Sequence, residues 1–540
     1  MKAICQTGSF EAFSMYNAIY VDKTELIYSL VSLPNRIFIS RPRRFGKSLT
    51  LDTIATLFET GVEPYFKGTW IYDKWTEPTY PVLRLNFLDL DKYSLEHFKQ
   101  KLNAIISSFA RDINVKNYEE KVEPEDTIYF LLDELRKEKR QIVILIDEYD
   151  CQMTANINNE TLYKQFQEKI KSFYATIKNK WPIKFLGITG VTRLKDVEIF
   201  SIGSDIRDIT NASAYSQMIG FTRDEIKKYY IDYLKLASSY ENNCSVDNVT
   251  DEQIESMLDM IAQNYDGYCF DEFYKKKVFS TWSVNSFFQS IIENKFVDFG
   301  DYWYDNGGLP SILVNYLKTH KLNSLDYVEK DKTITIRVND FKNPTSLTSI
   351  NQNVLMCQTG YLTLRSPVYS KGFMTLGIPS SEVYNALLSL MALNIFDDTK
   401  LENVNEQILS QSKDVGEIIE LFNTVLNTVS YDNYPISSEA VVQQLLYMYL
   451  KGICNSVSAE LHSSKGRADL VIESDNRRIV FEFKYAKNEI EAKVKLSEAI
   501  EQIKTRDYGN IVPKKAELLR IAAVFNADPK VRAFNEYHEV

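Results

Sequence analysis

The chain has 540 residues, 44% of them hydrophobic and 13% aromatic, so it can bury large cores and is expected to form roughly two to four domains. Its formal net charge of −10 excludes a protein that coats nucleic acid through overall positive charge, because affinity for the phosphate backbone comes mainly from Lys and Arg. Any nucleic-acid contact must therefore be local.

Cysteine spacing and hydropathy exclude several further classes of protein. The six cysteines include no C-x-x-C pair, which predicts neither a zinc site nor a disulfide framework. The first residues lack the basic-then-apolar order of a signal peptide, and no stretch approaches the ~20 apolar residues of a membrane span. We expect a soluble, cytoplasmic protein with no membrane partner.

The first two hundred residues alternate short apolar runs with helical patterns. Buried strands are predicted at residues 36–40, 82–87, 142–146 and 183–188. This alternation predicts parallel strands with helical crossovers, an α/β sheet whose strand ends face a ligand. Residues 222–317 follow a mostly helical pattern, which predicts a helical extension of that sheet.

The loop after the first predicted strand is built like a P-loop and ends in Gly46-Lys47-Ser48. In a P-loop the backbone N–H groups cradle phosphates, the Lys reaches the β- and γ-phosphates, and the Ser hydroxyl ligates Mg²⁺. The motif also requires a glycine where Arg41 stands, so the pattern is incomplete. Positive charge in this loop suits a phosphate site but equally suits a solvated basic turn; it comes from Arg41, Arg43 and Arg44.

The strand at residues 142–146 ends in two acids, Asp147 and Glu148. In nucleoside triphosphatases of this layout the first acid holds Mg²⁺ and the second polarises the attacking water. An acidic turn after an ordinary strand is the alternative. After the next strand, Arg193 is a candidate for stabilising transition-state charge, with an ion pair to Asp196 or Asp205 as the alternative.

Residues 318–433 are the least regular part of the chain, with a small strand region predicted near residues 333–338. We treat most of this part as a connection between domains. The predicted organisation is an ATPase-type domain at residues 1–220, its helical extension at 221–345, a connecting region at 346–433 and a C-terminal domain at 434–540.

Residues 466–484 read as two strands separated by a Ser-Asp-Asn turn, which predicts a β-hairpin. Period-two alternation puts Glu482 and Lys484 on one face, and the turn places Asp469 opposite Glu482. Two carboxylates that hold Mg²⁺ beside a catalytic cation, here Lys484, suit metal-dependent phosphodiester hydrolysis. Charges on a solvent-facing strand are the alternative. Glu460, as a further metal ligand, and Gln502 could complete the site, and each is equally suited to a plain surface position.

At these motifs the sequence resembles the bacterial AAA-ATPase-like proteins that carry a C-terminal PD-(D/E)XK nuclease domain. The family tolerates the missing first glycine of the loop. Two departures from its pattern are TRLKD after the fourth strand and Asp266 in place of Asn. The resemblance spans most of the chain and rests on YVDKTELI (20–27), RPRRFGKSLTL (41–51), ILIDEYD (144–150), GVTRL (190–194), GFTRDEI (220–226), YDGYCF (265–270), TWSV (281–284), GRADLVI (466–472) and FEFK (481–484).

This resemblance implies an α/β fold: an N-terminal P-loop NTPase sheet of the AAA or STAND type with a helical extension, followed by a restriction-endonuclease-like α/β/α domain. It also implies two sites on residues that match the family's motifs. The nucleotide site carries over to Lys47, Ser48, Asp147 and Glu148, and the nuclease site to Asp469, Glu482 and Lys484.

Two functions are compatible with these sites. In the first, ATP binding and hydrolysis regulate cleavage of nucleic acid with Mg²⁺ or Mn²⁺, and DNA is expected ahead of RNA. In the second, the chain is an ATP-dependent switch that binds nucleic acid or protein through a non-catalytic nuclease-like domain. No Asn-Lys-x-Asp run specifies guanine, which favours adenine as the base. A homo-oligomer is left open.

Overall fold

The protein is described by a computed structural model. It covers residues 1–33, 35–178, 180–194, 205–303, 311–317, 327, 330–344, 346–347, 349–369, 371–396, 409, 411–429, 435–453, 457–463, 466–473, 477–506, 508 and 517–540, with side chains except at 311, 317, 392–394, 451–453, 457–463, 466 and 467. The chain forms two compact units. The N-terminal unit comprises residues 1–321 and 330–384, and the C-terminal unit residues 322–329 and 385–540. The division after residue 384 falls within the predicted connecting region, whose boundaries stay predictions.

Five parallel strands form the central sheet of the N-terminal unit. Their spatial order is β2-β3-β4-β1-β5. Strands β3 and β4 are buried almost throughout, as a parallel sheet covered on both faces requires. The four predicted strands are confirmed to within two residues. The strands are β1 (Asn35–Ser40), β2 (Val82–Asn86), β3 (Ile142–Asp147), β4 (Ile183–Gly190) and β5 (Arg207–Asp208).

Helices precede and follow these strands, and their ends carry ordinary capping signals. The side chain of Ser94 accepts a hydrogen bond from the N–H of His97, and that of Asn159 from the N–H of Leu162. Pro124 occupies the first turn of its helix, where no N–H is needed. These helices are α1 (Phe10–Met15), α2 (Thr24–Val31), α3 (Lys47–Thr60), α4 (Leu95–Asp112), α5 (Pro124–Lys137), α6 (Cys151–Ala155) and α7 (Glu160–Ile177).

The predicted helical extension is present, and its aromatic residues share a core cluster with Ile19 and Val21 of the N-terminal segment. Tyr230 and Phe288 stack with ring centroids 5.2 Å apart, and both are buried. Capping boxes start two of its helices, with Thr222 opposite Glu225 and Thr250 opposite Gln253. The helices are α8 (Arg223–Tyr229), α9 (Ile231–Glu241), α10 (Asp251–Tyr265), α11 (Thr281–Asn294) and α12 (Ser311–Leu317).

A small antiparallel sheet with strand order β6-β8-β7 follows, and its first strand confirms the one predicted near residues 333–338. Three helices accompany it along the chain. The strands are β6 (Ile334–Arg337), β7 (Thr363–Leu364) and β8 (Phe373–Gly377), and the helices are α13 (Val338–Lys342), α14 (Gln352–Thr359) and α15 (Ser381–Ile395).

The C-terminal unit contains a five-stranded mixed sheet with strand order β13-β12-β11-β10-β9. The predicted hairpin is its centre, since β10 and β11 pair antiparallel while β11 and β12 run parallel. The strands are β9 (Val457–Ser463), β10 (Gly466–Glu473), β11 (Arg477–Ala486), β12 (Glu517–Asn526) and β13 (Ala533–Glu539), and the helices are α16 (Val415–Thr428), α17 (Glu439–Ile453) and α18 (Glu489–Arg506).

Helices cover both faces of this sheet. Phe422 of α16 packs on Phe481 and Phe483, whereas Ile503 of α18 belongs to a core cluster with Val480. Alternate residues of β11 therefore face opposite layers, which is the predicted α/β/α arrangement. Across the described ranges, no helix combines the length and the apolar character needed to cross a bilayer.

The last residue of β4 lies against the loop that follows β3. A Cβ atom on Gly190 would lie 2.5 Å from Cδ1 of Tyr149 and 2.7 Å from a carboxylate oxygen of Asp150. Asp150 cannot easily yield, because it is buried and accepts a 2.7 Å hydrogen bond from the N–H of Thr192. Only glycine fits this crossing point.

Substitution of Gly190 by alanine should lower the free energy of unfolding of the N-terminal unit by about 1–3 kcal/mol, because the added methyl group overpacks a buried site. Chemical denaturation of the full chain measures the change. Gly8→Ala is the matched control, since a Cβ there meets its nearest atom at 3.8 Å. Equal stability of the two variants would contradict the steric argument.

Candidate nucleotide and nuclease sites

The loop between β1 and α3 turns through left-handed backbone so that α3 begins directly at Lys47. Arg44 has φ +67° and Gly46 has φ +98°, and the latter value favours glycine. No atom lies within 4 Å of the position that a Cβ of Gly46 would occupy. The turn is therefore open on the side where the first N–H groups of α3 emerge, which is the arrangement that binds phosphate.

A cleft of about 500 Å³ opens at this turn. Its floor is the loop and the start of α3, residues 43–50, and Glu148 reaches it from the end of β3. Its other walls come from the N-terminal residues 5–8 and 19–21, from residues 218–221, and from α11 through Trp282 and Asn285. The lining combines a charged end at the loop with aromatic and amide groups farther away.

Lys47 and Ser48 contact the two predicted acids. The Lys47 ammonium is buried, donates to the carbonyls of Arg41 at 3.1 Å and Pro42 at 3.2 Å, and lies 3.5 Å from a carboxylate oxygen of Glu148. Ser48 Oγ donates to Asp147 Oδ2 at 2.6 Å. The structure thus brings together all four residues of the nucleotide site that the motifs implied.

Asp147 and Glu148 are held in different ways. Asp147 Oδ1 accepts hydrogen bonds from the hydroxyl of Thr189, on β4, and from the N–H of Glu148 at 3.0 Å. Glu148 adopts φ +52°, an uncommon left-handed conformation for a glutamate, and this turn directs its carboxylate to Lys47.

Arg41 and Arg193 do not line this cleft, although both were predicted to contact the nucleotide. The Arg41 guanidinium is 1% exposed and stacks over the ring of Phe270 at 4.1 Å. Arg193 forms an ion pair with Asp208, whereas the sequence suggested Asp196 or Asp205 as its partner. Asp205 pairs with Arg36. Residue 196 lies outside the described residues. Of the three arginines predicted in the loop, Arg43 and Arg44 border the cleft.

Three aromatic residues from the part of the chain between residues 268 and 303 contact the phosphate loop. Phe45 packs edge-on against Tyr268 at 4.7 Å, and the Arg44 guanidinium lies over Trp282 at 4.0 Å. The indole N–H of Trp303 donates to the Arg43 carbonyl at 3.2 Å. These contacts give a structural reason for the YDGYCF and TWSV motifs. They fix the backbone of a loop that lacks the usual first glycine.

An ion pair between the N-terminal segment and α8 was missed by the sequence analysis. Lys23 Nζ lies 2.6 Å from the carboxylate of Glu225 and donates to the Gln217 carbonyl at 2.8 Å. Burial lowers the pKa of Lys23, and Glu225 partly offsets that effect. Lys23 lies in the YVDKTELI motif and Glu225 in the GFTRDEI motif, and this shared membership in the family motifs was the sequence feature that could have pointed to the pair. The pair supports the wall of the cleft that contains residues 19–21 and 218–221.

In the C-terminal unit, the hairpin brings the predicted acids and lysine together. The pairing of Leu470 with Phe481 sets Asp469 opposite Glu482, and Asp469 Oδ2 accepts a 2.7 Å hydrogen bond from the N–H of Phe483. Lys484 Nζ donates to Glu482 Oε1 at 2.8 Å. The three side chains therefore form one cluster.

Burial makes the Glu482 carboxylate a strong candidate for cation binding. Glu482 is 0% exposed, and among the described residues its Oε2 has no hydrogen-bond partner. Desolvation, and then the negative charge of Asp469, raise the pKa of Glu482 to about 7. Burial alone would lower the pKa of Lys484, but the hydrogen bond to Glu482 raises it above its ordinary value. A divalent cation would relieve the repulsion between the two carboxylates, so these residues fit such an ion.

Helix α17 supplies a residue that the sequence analysis missed. Glu439, its first residue, lies 3.3 Å from Lys484 Nζ, and Gln443 donates to the Asp469 carbonyl at 2.6 Å. No spacing rule connects the start of this helix with the hairpin, so only the three-dimensional structure reveals the contact. Among the described side chains, no three His, Cys, Asp or Glu residues form a group placed to hold a metal.

Two further predicted members of the site have different outcomes. Glu460 lies in β9, but its side chain is outside the described residues, so its role stays a prediction. Gln502 donates to the hydroxyl of Tyr508 at 3.1 Å, and Arg506 donates to the same oxygen at 3.0 Å. Gln502 is thus part of a polar group around buried Tyr508, and its predicted part in the site remains untested.

Comparisons with known families agree with the motif-based recognition. Residues 5–200 match the AAA-ATPase-like family, described as predicted AAA-ATPases, and residues 437–535 match the PD-(D/E)XK nuclease superfamily. The first match contains the loop and the acids of the cleft. The second contains the hairpin, α17 and α18.

Similarity to single proteins extends over most of the chain. A protein of Azotobacter chroococcum mcd 1, named as an uncharacterized protein in the vnfD 5′ region, is 25% identical over 528 residues, covering 95% of this chain and 93% of that protein. Cdc6p of Pyrobaculum aerophilum is 10% identical, with 68% of this chain and 92% of that chain covered and a TM-score of 0.22. Orc1 of Aeropyrum pernix, solved in complex with DNA, is 12% identical, with 71% and 97% covered and a TM-score of 0.25.

The raised pKa of Glu482 predicts a pH-dependent stability in the metal-free protein. Because the folded pKa of about 7 exceeds the ordinary value of 4.5, the folded state binds more protons between these values, and stability falls as pH rises through them. Glu482→Gln removes this loss, so the variant should gain about 1–3 kcal/mol relative to wild type between pH 5 and pH 8.

Hydrogen exchange of the β11 amides in the presence of a chelator measures this local free energy. Glu501→Gln, at an exposed position of α18, is the matched control and should follow wild type. If the difference between the Glu482 variant and wild type is the same at both pH values, the carboxylate does not titrate in this range.

Proposed function

Because the chain carries an AAA-ATPase-like domain at its N-terminus and a PD-(D/E)XK nuclease superfamily domain at its C-terminus, we propose that it binds and hydrolyses ATP and cleaves nucleic acid with a divalent metal ion. DNA is the proposed substrate ahead of RNA. Mg²⁺ is the proposed ion at both sites, and Mn²⁺ could replace it at the nuclease site. ATP turnover would regulate cleavage.

The observation that carries the ATPase proposal is that Lys47, Ser48 and Glu148 line the cleft together, with Asp147 hydrogen-bonded to Ser48. Ser48 and Asp147 would hold Mg²⁺ between them, since hydroxyl and carboxylate oxygens are its preferred ligands. Lys47 would bind the terminal phosphates, and Glu148 would orient the attacking water. In the structure Glu148 is engaged with Lys47, so phosphate would take over the lysine and release the glutamate for this task.

The nuclease proposal rests on the cluster of Asp469, Glu482 and Lys484. The two carboxylates would hold the metal ion. Because Lys484 Nζ lies 2.8 Å from Glu482 Oε1, the lysine would be next to this ion and could orient a water or neutralise phosphate charge. When bound, the ion supplies Lewis-acid polarisation of the phosphate and a more acidic water. Glu439, 3.3 Å from Lys484 Nζ, would help to orient this lysine.

A second function is favoured by one observation. Two described acids of the hairpin, Asp469 and Glu482, lie opposite each other, while the third, Glu473, pairs with Arg478. No group of three or more metal-binding side chains is present among the described residues. A site with so few ligands is also compatible with a nuclease-like domain that binds nucleic acid or protein under the control of ATP without cleaving it. Cleavage assays distinguish the two functions directly.

Two lysine variants should separate the two activities. Lys47→Ala should lower ATP turnover at least about 100-fold, because it removes a charge that acts on the transferred phosphate. Lys484→Ala should lower cleavage of DNA by a similar factor and leave ATP turnover intact. Both are measured on the purified full chain with Mg²⁺ and with Mn²⁺, on single-stranded and double-stranded DNA and on RNA.

The absence of cleavage by the wild-type chain on every one of these substrates, with and without ATP, would reject the nuclease. ATP-modulated binding of DNA in the same preparation, unaffected by Glu482→Gln, would then support the switch. Loss of ATP turnover in Lys484→Ala would contradict the assignment of separate sites.

Glu439 should be a positioning residue for cleavage. Glu439→Gln should lower cleavage about 10-fold, the effect expected when a group that orients a catalytic side chain is lost, and should not alter ATP turnover. Glu501→Gln is the matched control on the same unit. A purely structural role of Glu439 would lower the stability of the unit without changing the pH profile of cleavage, whereas a role through Lys484 should shift that profile.

A further inference from the structure

A second, smaller cavity of about 40 Å³ adjoins the first residues of the phosphate loop, which do not line the cleft. Residues 40–42 of the loop line it, together with Arg193 after β4, Thr210 after β5 and Gln358 on α14. All of these residues belong to the N-terminal unit. The nucleotide function proposed above does not use this cavity.

Arg41 has unused hydrogen-bonding capacity at this cavity. Its Nη1 donates to the carbonyls of Ser40 at 2.9 Å and Thr210 at 2.6 Å. Nε and Nη2 are buried, and within the described ranges of the chain no acceptor lies in hydrogen-bond range of either atom. One face of the guanidinium is covered by the ring of Phe270. Two N–H groups of a fully buried cation therefore require a partner.

Two cations and two thiols line the cavity. Among the described residues, Asp208 is the carboxylate whose charge acts on Arg41, and Asp208 is already paired with Arg193. The thiols of Cys269 and Cys357 also line the cavity, but burial raises their pKa values to about 11 and about 12, so they carry no charge at neutral pH. Burial lowers the pKa of Arg41 to about 9, at which it is still a cation in neutral solution.

We propose that this cavity binds one small monovalent inorganic anion, of the size of chloride, through Nε and Nη2 of Arg41. The cavity is large enough for such an ion with about one or two waters and far too small for a nucleotide. The ion would accept hydrogen bonds from these two N–H groups and lie beside the positive charge of Arg41. Lys47 donates hydrogen bonds to the carbonyls of Arg41 and Pro42, so an anion that fixes Arg41 would also stabilise the conformation of the phosphate loop.

Thermal unfolding of the full chain in sodium chloride and in sodium gluconate, at equal ionic strength, tests the proposal. A ligand that binds only the folded state raises Tm, and we expect chloride to raise it by about 2 °C or more over gluconate. Arg41→Gln should abolish this difference. Arg337→Gln, which removes an exposed arginine of the same unit, should retain it.

Chloride could also act in the phosphate cleft, and Lys47→Ala distinguishes that source. If the chloride effect is lost in Lys47→Ala and retained in Arg41→Gln, the anion binds in the cleft and the proposal is wrong. An equal Tm in the two salts for the wild-type chain would also overturn it. This test does not depend on ATP turnover, so its failure leaves the proposed function untouched.

Diffraction from crystals of the full chain soaked in sodium bromide provides a measurement that needs no variant. We expect an anomalous peak within hydrogen-bond distance of Nε and Nη2 of Arg41. Ordered water alone at these atoms, or an acceptor from another part of this chain, would overturn the proposal. The bromide result decides the question if Arg41→Gln does not fold.

Discussion

The carboxylate of Asp147 ties together the segments on which the nucleotide cleft depends. It ends β3, accepts the hydroxyl of Ser48 from the start of α3, and accepts the hydroxyl of Thr189 from β4. This meeting is possible because β4 lies between β1 and β3 and all three run parallel, so their carboxyl ends share one edge of the sheet. The rest of the site, including the turn that directs Glu148 toward Lys47, is arranged around that edge.

The two candidate sites use the same electrostatic arrangement on unrelated sheets. In each, the lysine proposed to act on phosphate is paired with a glutamate: Lys47 with Glu148 and Lys484 with Glu482. An ion pair of this kind holds a buried ammonium in place without substrate. The C-terminal pair differs because a second acid, Asp469, repels Glu482 and raises its pKa. That repulsion is the property expected of a cation site and is absent from a simple structural salt bridge.

Periodicity and motif order predicted the strands of the first sheet, the helical extension and the register of the hairpin, because these features depend on neighbours in sequence. The directions of Arg41 and Arg193 were not predictable in the same way. Each side chain is directed by a partner elsewhere in the chain, Phe270 in one case and Asp208 in the other. Glu439 was missed for the same reason, since it meets Lys484 across 45 residues of sequence.

The phosphate loop is contacted by residues between 268 and 303, and these contacts affect which part of the chain can be separated from the rest. The family match ends at residue 200, yet the loop leans on Tyr268, Trp282 and Trp303, all downstream of it. A fragment cut at the family boundary would expose the face of Phe45 and lose three supports of the loop. We therefore expect residues 5–200 alone to hold the loop less firmly than the full chain does. A fragment that keeps all three contacts must extend to Trp303, about a hundred residues past the end of the family match.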